Sequence, residues 1–317
     1  MKIVVLDGHA LDPGDLSWEG FEALGEFERY DRTPAQLILP RMAGAGAVLV
    51  NKTPITAATL AACPALRYIG VLATGYNVVD TAAAAARGIP VCNVPDYGTE
   101  AVAQFTFALL LELCHRAGDH SRGVHGGEWC QKTDFCYWNT PQRELAGLVF
   151  GVVGYGRIGR AAARIARGFG MRVLVYTRHV KPEYAADGVE FVPFEQLLED
   201  SDVVSLHCPA TAETRGMIDE AALAAMKPGA ILLNTARGAL VDEAAVCAAL
   251  KSGHLGYYAS DVAAHEPVRP KDGLLHCPNV LITPHVAWAT EEALARLSAE
   301  VCANLEAFLQ GKKRNLV

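Results

Sequence analysis

Several things are missing from this 317-residue chain, and each absence narrows what it can be. No apolar stretch approaches the roughly 20 residues that cross a bilayer, so no membrane partner is expected. Met1-Lys2 is followed by only four apolar residues before Asp7, too short a run for a secretory leader, and a cytoplasmic location is expected. No basic tract exceeds Lys312-Lys313-Arg314 and the formal net charge is −7, which argues against nucleic acid as a partner. The nine cysteines are scattered, odd in number and without a Cys-x-x-Cys, which argues against a structural zinc site; no metal is expected. They are expected to be free thiols in a reducing compartment, each a small buried hydrophobe. What is plentiful is apolar: 51% hydrophobic against 20% charged, the balance of a globular protein with a large core. The acidic field repels anions, so an anionic substrate must be drawn in by local cations.

The first hundred residues alternate short apolar strands with helical stretches. Residues 3–6, 47–50, 68–72 and 90–94 read as buried parallel strands, and 56–63 and 79–87 as helices. Thr99, a plausible N-cap followed by Glu100, opens a long helix to about Gly118. Its segment 105–111 is apolar all round and should be buried on all sides, as a subunit interface or as a domain-bridging core helix. From 147 to about 284, strand–helix units repeat and predict six parallel strands. Residues 290–309 form an amphipathic helix expected to return to the first domain. The fold class is α/β: a doubly wound parallel sheet plus a smaller α/β domain.

The sharpest motif lies at the start of the second region. The apolar run Leu148-Val149-Phe150-Gly151-Val152-Val153 leads into Gly154-Tyr155-Gly156-Arg157-Ile158-Gly159, and an Ala/Arg-rich helix pattern follows. Gly154 permits the tight turn, Gly156 lets backbone approach a pyrophosphate, and Gly159 lets the helix pack on the strand. The helix N-terminus then offers N–H groups to phosphate oxygens.

Three further segments fall at the C-terminal ends of predicted strands, the edge where such sheets bind ligands. They are Asn234-Thr235-Ala236-Arg237-Gly238, Asp261-Val262-Ala263-Ala264-His265-Glu266-Pro267 and Pro284-His285-Val286-Ala287-Trp288. Hydride exchange with a nicotinamide requires a proton to move on or off the substrate oxygen. A group that titrates near neutral pH serves best, so His285 is the candidate acid/base. A neighbouring carboxylate stabilises imidazolium and orients the ring, the part given to Glu266. Arg237 offers a fork of donors to a substrate carboxylate and to a developing alkoxide. Asp261 is placed toward the nicotinamide side of the cofactor, with a turn cap as the alternative.

These segments together make the chain resemble the D-isomer-specific 2-hydroxyacid dehydrogenases over essentially its whole length. The resemblance carries the family's Arg, Glu and His onto Arg237, Glu266 and His285. It implies a flavodoxin-like substrate domain, 1–98 with 288–317, and a Rossmann dinucleotide-binding domain, 99–287. It also implies a homodimer formed mainly through the cofactor domain. Cofactor contacts are expected from the Gly154–Gly159 loop and from Thr106, Thr177, Arg178, Cys208, Pro209, Thr214, Thr235, Ala236, Asp261 and Ala287. Substrate contacts are expected from the Ala73-Thr74-Gly75 loop and from Lys52, with a surface lysine as the alternative for Lys52. Trp138 and Trp288 are expected as pocket walls, with ordinary aromatic packing as the alternative for both tryptophans.

Within the family, Leu72 to Asn77, Asp134 to Trp138 and Pro284 to Trp288 look like glycerate dehydrogenase, hydroxypyruvate reductase and glyoxylate reductase members. The expected reaction is reduction of hydroxypyruvate or glyoxylate to the D-2-hydroxy acid. A broader D-lactate or aryl-pyruvate type is the runner-up, and an NAD(P)H-sensing, corepressor-like dimer is the alternative of another class. One departure concerns the cofactor. NAD-specific sites place Asp or Glu after the second strand, whereas here Tyr176 is followed by Thr177-Arg178-His179, with Lys181 close behind. That set suits a 2′-phosphate and predicts NADP(H) over NAD(H).

Overall fold

The computed structural model describes residues 1–11 and 18–317. They divide into two compact units, Met1–Gly98 with Ala289–Val317, and Thr99–Trp288. In the first, β1 (Lys2–Val5), β2 (Glu26–Arg29), β3 (Ala47–Val50), β4 (Tyr68–Val71) and β5 (Val91–Cys92) form a parallel sheet in the order β2-β1-β3-β4-β5. This is the flavodoxin-like order. Helices α1 (Glu19–Glu22), α2 (Ile38–Met42), α3 (Ala57–Ala62) and α4 (Thr81–Ala86) lie in the connections. Thr56 and Asp80 cap α3 and α4 through their side chains. β3 and β4 are buried throughout, as unbroken apolar runs of central parallel strands must be. β2 adds a strand to the four expected. Its Glu-Phe-Glu-Arg sequence lacks an apolar run because it lies at the edge, where charges are tolerated and deter further pairing.

The second unit contains α5 (Thr99–His115), α6 (Ala117–His125), β6 (Val149–Val153), α7 (Arg157–Gly168), β7 (Arg172–Tyr176), β8 (Glu190–Phe191), α8 (Phe194–Asp200), β9 (Val203–Leu206), α9 (Glu220–Ala225), β10 (Ala230–Asn234), α10 (Glu243–Ser252), β11 (Leu255–Ser260) and β12 (Val280–Ile282). Its sheet is parallel in the order β12-β11-β10-β9-β6-β7-β8, with the strand order reversing between β6 and β9. That is the doubly wound dinucleotide fold with one strand more than the six expected. The extra one, β8, is two residues long and too short to carry a periodic signal.

The long helix expected to Gly118 is two helices. Arg116 adopts φ 47°, a left-handed conformation that ends α5, and α6 starts one residue later. Nor is α5 buried on all sides: Ala108 is exposed and Phe105 and Leu111 are only partly covered. Its buried stripe packs on the sheet, with the Phe107 ring 5.3 Å from Phe150 and 5.5 Å from Phe169. The terminal helix α11 (Glu291–Leu309) belongs to the first unit, where Phe308 lies 4.8 Å from Tyr68 and Asn304 Nδ2 donates to the Asn93 carbonyl at 2.9 Å. Among the described residues, no helix is long and apolar enough to cross a membrane.

The cysteines correct the expectation of nine free, buried thiols. Cys63, Cys92 and Cys114 are buried, but Cys130 and Cys136 are exposed, and Cys247 of α10 is bonded to Cys277 ahead of β12. Proximity in the fold decided that pairing, and a spacing of 30 residues gives no sign of it. Closing a loop of 30 residues removes entropy from the unfolded chain worth about 3.6 kcal/mol. Cys277→Ser is therefore expected to lower unfolding stability by about 3.6 kcal/mol in denaturant titrations without reductant. Thiol titration of the unfolded, unreduced protein should count seven thiols.

Candidate active site

The dinucleotide loop follows β6 directly. Gly154 has φ 97°, and a Cβ there would lie 2.7 Å from the Cys208 backbone nitrogen, so both conformation and space demand glycine. A Cβ at Gly159 would overlap the Gly154 carbonyl, whereas one at Gly156 would meet nothing within 4 Å. The loop thus presents open backbone at Gly156, just ahead of Arg157 and Ile158 at the N-terminus of α7, a fit for a pyrophosphate. The Tyr155 side chain turns away from that opening. It is 3% exposed, edge-on to Tyr184 and Phe191, and its hydroxyl donates to Asp187 at 3.0 Å, leaving only backbone for a ligand. The Arg160 guanidinium holds Asp187 below the usual carboxylate range, with help from the Tyr155 hydroxyl.

The neighbouring strand ends are ordered by their own hydrogen bonds. After β9, Thr214 Oγ1 accepts from Thr211 N at 2.8 Å and donates to the Pro209 carbonyl at 2.7 Å, closing the turn. Cys208 is half-buried against Met217, and burial pushes its thiol up, so it stays protonated. After β7, Thr177 is partly buried and Arg178 is exposed. Arg178 is not an isolated cation, because Nη1 lies 3.9 Å from Glu213 Oε2. The Thr211 hydroxyl donates to that same oxygen at 2.6 Å and holds Glu213 below the usual carboxylate range. Thr106 is fully buried, and its hydroxyl is engaged with the Val102 carbonyl and Thr235 Oγ1, so no surface of its own remains for a cofactor.

At the end of β10, buried Asn234 shapes the turn that carries Arg237. Its Oδ1 accepts from Ala236 N at 3.0 Å and its Nδ2 donates to the Arg237 carbonyl at 2.9 Å. Arg237 is exposed, with Nη1 donating to the Ala236 carbonyl at 2.7 Å. Gly238 then presses on the next segment, since a Cβ there would overlap the Ala263 carbonyl. That segment follows β11. Ala263 N donates to Glu266 Oε1 at 3.1 Å, and Glu266 Oε2 accepts from His285 Nδ1 at 2.8 Å. The side chains of the pair are 37% and 30% exposed, so the imidazole is held yet reachable.

His285 follows β12 and sits at φ 57°, in the left-handed region. Its neighbours over-determine that conformation. Asp261, 1% exposed, accepts from the Thr283 hydroxyl at 2.6 Å, Val286 N at 2.9 Å and Ala287 N at 2.7 Å. The Trp288 indole N–H donates to the His285 carbonyl at 2.8 Å. Asp261, for which the sequence left a turn cap open, and Trp288 therefore frame the histidine loop. A second histidine in the same unit, His207, bonds Ser205 at 2.9 Å, and burial pushes it down to about 4, so it is neutral at physiological pH.

In the first unit, Asp7 gathers three successive backbone donors. Its carboxylate accepts from Asn51 N at 2.7 Å, Lys52 N at 2.5 Å and Thr53 N at 2.6 Å, which leaves the Lys52 side chain exposed beyond β3. After β4, the Thr74 hydroxyl donates to the Val94 carbonyl at 2.7 Å and Asn93 Nδ2 donates to the Thr74 carbonyl at 2.7 Å, fixing the turn through Ala73 and Gly75. Trp138, in the second unit, is 68% exposed.

A sheet edge that offers open backbone to a pyrophosphate and a carboxylate-bound imidazole on the same side is equipped for dinucleotide redox chemistry. The class is that of the nicotinamide-dependent oxidoreductases. The family model for the D-isomer specific 2-hydroxyacid dehydrogenase NAD binding domain matches residues 107–287. A hydroxypyruvate reductase of Blautia hydrogenotrophica is 46% identical over 320 residues, spanning 100% of this chain and 99% of that protein. A glycerate dehydrogenase of Methylorubrum extorquens is 41% identical over 321 residues, spanning 100% and 98%. Among solved structures, the TT0316 protein of Thermus thermophilus superposes with a TM-score of 0.88 at 36% identity, each chain fully covered. The chain belongs to the D-isomer-specific 2-hydroxyacid dehydrogenase family.

Proposed function

We propose that this chain reduces a small 2-oxo acid, hydroxypyruvate or glyoxylate, to the D-2-hydroxy acid, with NADPH preferred over NADH. The observation that carries the chemistry is the 2.8 Å bond between Glu266 and His285, placed by strands β11 and β12 at the edge that also bears the glycine loop. When bound, the reduced nicotinamide supplies the hydride. The protein's own residues do the rest. Arg237 binds the carboxylate of the substrate and draws charge toward its carbonyl oxygen. His285, oriented through Nδ1 by Glu266, delivers a proton to that oxygen from Nε2. The names of the relatives support the substrate class.

The cofactor preference rests on Thr177 and Arg178, with no carboxylate in the Thr177-Arg178-His179 segment. A 2′-phosphate would take Arg178 from the exposed Glu213, a weak competitor in water. Turnover of hydroxypyruvate, glyoxylate, pyruvate and phenylpyruvate with NADPH and with NADH tests the whole reading. Catalysis of none of them, or a strong NADH preference, would overturn the corresponding part. Arg178→Ala is expected to weaken NADPH about tenfold and NADH hardly at all, measured by nicotinamide fluorescence titration. Equal losses would defeat the 2′-phosphate assignment.

A further inference from the structure

We propose that Glu243 is a positioning residue for the acid–base pair, acting through the backbone of Ala263 and Ala264. It lies six residues beyond Arg237, at the first position of α10. An acidic side chain there has an ordinary use, since it favours the positive end of the helix dipole. Its geometry serves something else as well. Glu243 Oε1 accepts from Ala264 N at 2.7 Å, across 21 residues of sequence. The adjacent peptide N–H, that of Ala263, goes to Glu266 Oε1, whose partner oxygen holds His285. Two successive N–H groups therefore do two jobs: one ties the loop to α10, and the other ties Glu266 to the loop.

The base of this linkage is rigid. Asp242 Oδ1 caps α10 by accepting from Ala244 N at 2.9 Å and Ala245 N at 3.1 Å, which fixes the backbone from which Glu243 reaches. Gly238 meets the same Ala263–Ala264 backbone from the other end of the turn. The stretch from Asn234 to Glu243 thus supplies Arg237 and also grips the segment that supplies Glu266. The gripped residues need it: Ala264, His265, Glu266 and Pro267 are all exposed and outside regular structure. Without the Glu243 acceptor, the Ala264 N–H turns to water and Ala263 N–H leaves Glu266. The carboxylate then samples several rotamers, and the imidazole loses its fixed orientation.

The inference rests on the reading of Glu266 and His285 as the acid–base pair, and its test has one readout that does not depend on turnover. Glu243→Ala and Glu243→Gln are compared with the unmodified enzyme. Glutamine keeps a carbonyl oxygen for Ala264 N–H but no charge for the helix dipole. In Glu243→Ala, kcat for the 2-oxo acid is expected to fall about tenfold, with dinucleotide Kd unchanged and KM moved by less than about threefold. In Glu243→Gln, kcat should return to within about twofold. In ¹⁵N-histidine NMR spectra, the hydrogen-bonded His285 Nδ1–H should be visible in the unmodified protein and in Glu243→Gln, and lost in Glu243→Ala. A helix-stabilising role alone lowers Tm in both variants and leaves kcat and the histidine signal intact, which would overturn the proposal. So would a Gln variant as impaired as Ala. An unmodified enzyme that turns over no 2-oxo acid while the histidine signal behaves as expected would refute the proposed function and leave the positioning role standing.

Discussion

His285→Ala is expected to lower kcat by about a thousandfold, the scale of a lost general acid, while dinucleotide binding stays within about twofold. The imidazole is bound through Nδ1 to Glu266, which leaves Nε2 for the proton exchanged with substrate. The histidine at the end of the central strand β9 cannot stand in. His207 is pushed down to about 4 by burial and is a neutral imidazole at neutral pH, without the acidic imidazolium proton. The dinucleotide loop is built by Gly154, Gly156 and Gly159 far along the chain, so its affinity should not change. Position 285 has φ 57°, and a loop collapse could imitate a catalytic loss. His285→Asn answers that, because asparagine accepts the left-handed region more readily than alanine. Both variants should lose activity alike, with unchanged Tm for the asparagine form. A loss of less than tenfold in either would remove His285 from the acid–base role.

Much of the fold was legible because parallel α/β sheets write themselves in unbroken apolar runs. β3, β4, β9 and β10 are buried throughout and are readable as strands for that reason. β2 and β8 were not legible, since edge strands carry charge or are too short for any period. The break at Arg116 was hidden because a left-handed residue ended the helix without the glycine that normally announces it. Of the site, strand-end position singled out Arg237, Glu266 and His285. The supports were hidden, because they act through backbone atoms. Asn234 stood in the Arg237 segment with no role of its own, and nothing in the sequence singled out Glu243, yet one shapes the turn of Arg237 and the other holds Ala264. The disulfide was illegible in principle, because it joins cysteines whose proximity only the packing of α10 creates.

Asp261→Asn is expected to damage both stability and turnover, because the position has room for acceptors only. The buried carboxylate faces three donors: the Thr283 hydroxyl, Val286 N and Ala287 N. An amide offers one oxygen. If its nitrogen faces Ala287, two N–H groups oppose each other; if it is flipped, it opposes Val286 while the Thr283 hydroxyl can rotate to accept. Either way a buried backbone N–H is orphaned, at a cost of about 1–3 kcal/mol, on top of the weaker remaining bonds. For a unit of this size, a loss of about 2 kcal/mol lowers Tm by roughly 4–8 °C. The same bonds bracket His285 and sustain its left-handed conformation, so the loop should relax and kcat fall by about a hundredfold. Dinucleotide Kd separates this framing role from direct contact with the nicotinamide. A variant with normal Tm, near-normal His285 NMR signals and weakened dinucleotide binding would assign Asp261 to the cofactor. A lowered Tm with unchanged Kd and depressed kcat assigns it to the loop, as expected from a carboxylate that is 1% exposed and already bound to three donors.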